Sequence, residues 1–215
     1  NKSFKNKLIF LKLDEPFKQG NNPWQNQATQ REYIFNGLES AEPDDYIMFS
    51  DPDEIPNPKV LQSINLKKKF GIFFQKIYCY KFNLFNNYES PWEGTKICLK
   101  KNLKSIDFMR QKIKSKNLNQ PFWKFYKEKS IEILDNGGWH FNSLLTAEEI
   151  SVKLKSFAHS EFESSKYSDI DIIRNNIANH RDLFGRNRVY QKIDLDSSFP
   201  KYILENKDLL KNWIL

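Results

Sequence analysis

The chain has 215 residues, 28% of them charged and 39% hydrophobic, with an aromatic share of 15% that owes most to 18 Phe. This suits one domain over 1–215 with a substantial core, and it excludes a disordered chain and two full-sized domains. The formal charge of +7 and a pI near 9.2 favour anionic partners, whether a polyanion, an anionic membrane surface or a diphosphate-bearing substrate, while no apolar run reaches the eighteen or so residues of a membrane span.

Leu8–Leu13 is an apolar run stopped by Asp14-Glu15-Pro16 and predicts a buried strand. From about Gln27 to Leu38 no Pro intervenes and Tyr33, Ile34 and Leu38 share a face, which predicts a helix closed by the Pro43-Asp44-Asp45 turn. Tyr46-Ile47-Met48-Phe49 then reads as a short strand covered on both faces. Phe70–Leu84 alternates Tyr78, Tyr80, Phe82 and Leu84 against Ile77, Cys79, Lys81 and Asn83, the longest strand-like stretch. Residues 95–99 and 131–134 offer further strands. Thr146-Ala147-Glu148-Glu149 is a capping box opening a helix with Ile150, Leu154 and Phe157 on one face, and Ser168-Asp169-Ile170-Asp171 starts another. Strands early and helices late predict an α/β fold, a mixed sheet flanked by helices.

Cys79 and Cys98 have neither CxxC spacing nor a nearby His, so no zinc or redox motif is indicated and a reduced compartment is expected. The expected location is cytoplasmic, with the inner face of a membrane as one option.

Two constellations carry chemistry. Ser50-Asp51-Pro52-Asp53-Glu54-Ile55-Pro56 follows an apolar strand directly, so its acids project from a carboxyl edge of the sheet, where open α/β sheets bind ligands. Three carboxylates in four residues repel one another once desolvated, and a divalent cation relieves this; an acidic surface turn is the plainer alternative. Gly137-Gly138-Trp139-His140-Phe141 offers glycines for close backbone approach, a Trp that stacks on a sugar or packs in the core, and a His that ligates a metal or is a core residue. His159 and Glu161 near a helix end are candidate bases. Arg181-Asp182-Leu183-Phe184-Gly185-Arg186 reads as a phosphate site or an ion pair, and Lys67-Lys68-Lys69 as solvated surface.

Gln30-Arg31, Asp44-Asp45, the strand with Ser50-Asp51-x-Asp53-Glu54-Ile55-Pro56, Gly94-Thr95 and Gly138-Trp139-His140-Phe141, in this order, resemble glycosyltransferase family 17, which includes the animal enzyme that adds the bisecting N-acetylglucosamine to N-glycans. The similarity continues through Lys153-Leu154-x-Ser156-Phe157 and Asp182-Leu183-Phe184 to Pro200-Lys201-Tyr202-Ile203.

The resemblance implies an inverting transferase with a GT-A-like sheet, lacking the N-terminal strand–helix segment that holds the nucleotide base. It implies a UDP-N-acetylglucosamine donor, a glycan acceptor and Mn2+ or Mg2+. On this sequence it makes Asp51 and Asp53 metal and donor ligands, His140 a metal ligand, and Arg31 and Trp139 donor-binding; Glu54, His159 and Glu161 become the candidate catalytic acids and bases. A metal-dependent nuclease or phosphohydrolase and a non-catalytic carbohydrate-binding module are the rival readings. No sequence-specific nucleic-acid motif is present, so no nucleic-acid partner is expected.

Overall fold

The computed structural model describes residues 2–156 and 165–215. In chain order it forms α1 (Pro23–Tyr33), β1 (Tyr46–Phe49), β2 (Glu54–Pro56), α2 (Pro58–Gln62), β3 (Phe70–Cys79), β4 (Leu84–Phe85), β5 (Trp92–Leu99), α3 (Ile106–Lys112), β6 (Ile131–Asn142), α4 (Ala147–Ser156), α5 (Ser165–Ser168), α6 (Ile170–Ala178), β7 (Gln191–Lys192) and α7 (Lys201–Glu205). The result is a mixed α/β fold in which helices flank a seven-stranded sheet.

β3 is the spine. β5 pairs antiparallel along its first half, and beyond β5 lies β1. β6 runs parallel to β3 from Phe70↔Ile131 to Cys79↔Asn142, and β2 pairs antiparallel with β6 through Glu54↔His140 and Pro56↔Gly138. Past the end of β5, Tyr78 pairs with β4, which carries β7.

Alternation along β3 sends successive side chains to opposite faces. Ile77 and Cys79 pack with Ala147, Ile150 and Leu154 of α4, Ile173 of α6, Leu183 and Tyr190. On the other face Phe70 and Ile72 meet Met109 of α3 and the adjoining Ile113, while Tyr78 joins Trp139, Phe141, Phe199 and Ile203 of α7. Both cysteines are buried and free.

Local chemistry explains the helix ends near the site. Asn22 and Gln25 form a capping box ahead of Pro23 in α1. Glu32 of α1 then accepts the Asp107 N–H at 2.9 Å, and Ser105 accepts the Phe108 N–H at 2.9 Å, so α1 and α3 are tied together at the start of α3. Lys96 is buried beneath α3 and donates to the carbonyls of Arg110 and Ile113 at 2.9 and 2.6 Å; burial, with the charge of Lys114, pushes its ammonium down to about 7. The Thr146–Glu149 capping box forms as expected, and Asp169 caps α6.

Three expectations need correction. Leu8–Leu13 is not a strand: Leu8, Ile9 and Phe10 are exposed, and Leu11 rests against the turn at Gly37. An apolar run becomes a strand only with a ladder partner, and it finds none among the described residues. β1 is an edge strand with only Ile47 buried, so Tyr46 and Met48 face outward. The longest strand is β6, with 12 residues against 10 in β3, because it continues through Asp135-Asn136-Gly137-Gly138 as a bulge. In that bulge Asn136 and Gly138 take positive φ. A Cβ at Gly137 would lie 2.7 Å from the Phe74 nitrogen, and one at Gly138 would lie 2.1 Å from the Ile55 carbonyl oxygen. These glycines serve the approach of neighbouring strands, not of a ligand.

Candidate active site

The acidic turn leaves β1 and enters β2, closed by the Glu54 N–H donating to the Asp51 carbonyl at 3.0 Å. The Asp53 carbonyl accepts the Phe141 N–H at 2.9 Å, which extends the β2–β6 ladder and brings the turn beside His140.

Each acid then has its own partner. Arg31 of α1 donates to Asp51 at 3.0 Å, and Arg110 of α3 stands 3.9 Å from the other Asp51 oxygen. Nε2 of His140 lies 3.3 Å from Asp53. Burial alone would raise the Asp53 carboxyl, but the His140 hydrogen bond and charge, with the charge of Lys153, hold it below the ordinary value. Glu54 takes the Trp92 indole N–H at 3.0 Å on one oxygen and the Asp51 backbone N–H at 3.3 Å on the other. Burial pushes its carboxyl up despite the Trp92 bond, and the Asp51 charge adds to the push.

Two clefts, of about 590 and 540 Å³, meet at Asp51, Asp53, Ser143 and Lys153. Volumes in this range suit small-molecule sites. The first is walled by Trp92, His140, Glu89, Asp182 and Arg186, the second by Arg31, Phe82 and Phe141. Trp92 meets His140 edge-on with ring centroids 5.0 Å apart. On the far wall Arg186 bridges Glu89 and Asp182, and Tyr190 donates to Asp182 at 3.0 Å. Burial alone would raise the Asp182 carboxyl, yet Arg186 and the Phe184 N–H hold it low. The Asp182–Arg186 segment is thus an ion pair that also lines the cleft.

The structure therefore brings together Arg31, Asp51, Asp53 and His140, with Glu54 just behind Trp92. Trp139 is not among them: it points to the opposite face and is buried against Tyr78, Phe141 and Phe199. His159 and Glu161 lie outside the described residues. The sequence signalled no site role for Arg110 or Trp92, and Lys153 stood out only within the Lys153-Leu154-x-Ser156-Phe157 resemblance. Arg110 sits on α3 without a motif, and Trp92 follows Ser90-Pro91 with no periodic signal.

Asp51, Asp53 and His140 line one cleft, but Asp51 turns to the two arginines, and among the described residues no three His, Cys, Asp or Glu side chains are grouped to hold an ion. What fits a cation is the pair Asp53 and His140. Magnesium-like ions are commonly held by one or two protein ligands with substrate phosphates supplying the rest. Nδ1 of His140 and Nη1 of Arg110 are buried and make no hydrogen bond among the described residues.

The sequence model of glycosyltransferase family 17 matches residues 1–190. The chain belongs to glycosyltransferase family 17. As a family 17 glycosyltransferase it handles a sugar donor and an acceptor, and the match spans every cleft residue named above. It stops before Pro200–Ile203, so the resemblance read there lies beyond it. No curated protein and no solved structure matches the chain. No helix among the described residues is long and apolar enough to cross a membrane.

Proposed function

We propose that this family 17 protein is an inverting, metal-assisted transferase of GT-A-like architecture that moves N-acetylglucosamine or a related sugar from a UDP-sugar to a glycan acceptor. The observation that carries the reading is the contact of Asp53 with His140 at the junction of the two clefts, beside cationic Arg31, Arg110 and Lys153. A diphosphate is the ligand this mixture suits, since it offers negative charge to the cations and oxygen ligands to an ion.

Asp53 and His140 would hold the manganese or magnesium ion. When bound, the ion supplies Lewis-acid neutralisation of the charge that builds on the departing nucleoside diphosphate. Arg31 and Arg110 neutralise Asp51, so the turn can approach a diphosphate without repelling it. Lys153, lining both clefts, adds positive charge where the leaving group accumulates negative charge. Trp92 presents a half-exposed ring in the first cleft, held at a fixed angle by its N–H bond to Glu54, which is the arrangement of a platform for an apolar sugar face. With both oxygens engaged and no place on the cleft wall, Glu54 reads as a positioning residue for Trp92 in place of the expected base.

The test is product formation. Purified protein, UDP-N-acetylglucosamine and a panel of glycans, with manganese or with chelator, are followed by mass spectrometry of the acceptor. Metal-dependent transfer that Asp53→Asn lowers by about 10²–10³-fold supports the reading. Transfer that persists undiminished in Asp53→Asn contradicts it.

A further inference from the structure

At the end of the sheet remote from the cleft, the segment joining α3 to β6 presents Phe122, Trp123, Phe125 and Tyr126 to solvent, each between 61 and 84% exposed. Isolated exposed apolar residues are ordinary, but a cluster of four large aromatics is the kind of patch that marks a binding surface. The segment is well built. The Lys124 N–H donates to the Pro121 carbonyl at 3.1 Å and the Lys127 N–H to the Lys124 carbonyl at 3.0 Å, while the Lys129 ammonium reaches back to the Pro121 carbonyl at 2.6 Å. Phe122 and Trp123 meet edge-on at 5.2 Å, and the Lys127 ammonium lies 5.2 Å from the Tyr126 ring centroid. The backbone is folded on itself, and the rings still point outward.

Charge is concentrated at the same end. Residues 67–69 and 121–130 contain six lysines and one acid, Glu128, a net +5 out of the +7 that the whole chain carries. The two segments adjoin, because the Lys69 N–H donates to the Ser130 hydroxyl at 3.0 Å and Phe70 pairs with Ile131.

We propose that this aromatic and lysine surface docks on an anionic lipid bilayer. Aromatic rings settle at the level of the headgroups and lysines reach the phosphates on their flexible stems. A protein partner fits less well, since interfaces between proteins favour aromatics but are depleted in lysine. The cleft lies at the other end of β6: Ile131 and His140 pair with Phe70 and Ile77 of β3, seven residues or roughly 23 Å apart at about 3.3 Å per residue. Docking on this loop leaves the cleft open to an acceptor standing above the bilayer.

Co-sedimentation with phosphatidylcholine vesicles, with and without about one third phosphatidylglycerol, tests the proposal. Binding is expected only to the anionic vesicles, weakening as salt is raised. Trp123→Ser with Phe125→Ser should lower the affinity about tenfold or more, and each of Lys124→Gln and Lys127→Gln about fivefold. Brominated lipid should quench tryptophan emission in the native protein and not in Trp123→Phe, a variant that keeps an aromatic ring and the fold. Three results would overturn the proposal: no binding to anionic vesicles, binding unchanged in the double variant, or a double variant whose only change is in self-association.

Discussion

The two faces of the β2–β6 ribbon differ in kind although they are made by alternate residues of the same strands. On one face Trp139 and Phe141 pack with Tyr78, Phe199 and Ile203, with Phe141 also reaching the wall of the second cleft, and the groove of about 800 Å³ beside Trp139 has no carboxylate in its wall. On the other, His140 and Glu54 stand in register, with Asp53, Asp51, Lys153 and Trp92 around them. Groove size would choose the first face, and chemistry chooses the second. A site is marked by convergent charged groups more than by volume.

Four changes break or sharpen that contrast. Trp139→Ala should cost about 3–5 kcal/mol of stability by opening a cavity, read from denaturant unfolding, while donor affinity of the folded fraction stays near native. Gly138→Ala should cost on the order of 3 kcal/mol, because its Cβ has no room beside the Ile55 carbonyl and its φ is +133°; it strikes both faces at once, so thermal melting and activity should fall together. Trp92→Ala should do the reverse of Trp139→Ala, with little change in melting and a rise in donor or acceptor KM of about tenfold, the equivalent of ~1.4 kcal/mol.

The smallest effect is in acid. The Asp53 carboxyl lies below its ordinary 3.8 in the fold, so the stability it contributes is present above pH 3.8 and is lost as pH falls through its folded value. Acid unfolding of Asp53→Asn should therefore begin from lower stability and depend less on pH below 3.8 than the native protein.

The contrast also shows what the sequence could reveal. The Asp51–Glu54 turn behind an apolar strand, the α4 capping box and the Asp169 cap were legible because each is local chemistry within a few residues. The course of β6 was not. Asp135-Asn136-Gly137-Gly138 has the composition of a tight turn, but the ladders to β3 and β2 carry the strand through it as a bulge, and this decides that Trp139 faces the core and His140 the cleft. Trp92 was illegible for a similar reason: its partners, Glu54 and His140, are far away in the chain and meet it only through strand pairing. Leu8–Leu13 shows the opposite error, where apolar composition promised a strand that no ladder receives.

The central claim is that Asp53 and His140 help hold a nucleotide-sugar donor through a shared cation. Calorimetric titration of UDP-N-acetylglucosamine into the protein, with manganese and again with excess chelator, tests it most directly when run beside Asp53→Ala. The account predicts binding that requires the metal and is lost in Asp53→Ala, with the circular dichroism spectrum retained. Binding of equal strength under chelation and in Asp53→Ala would contradict it.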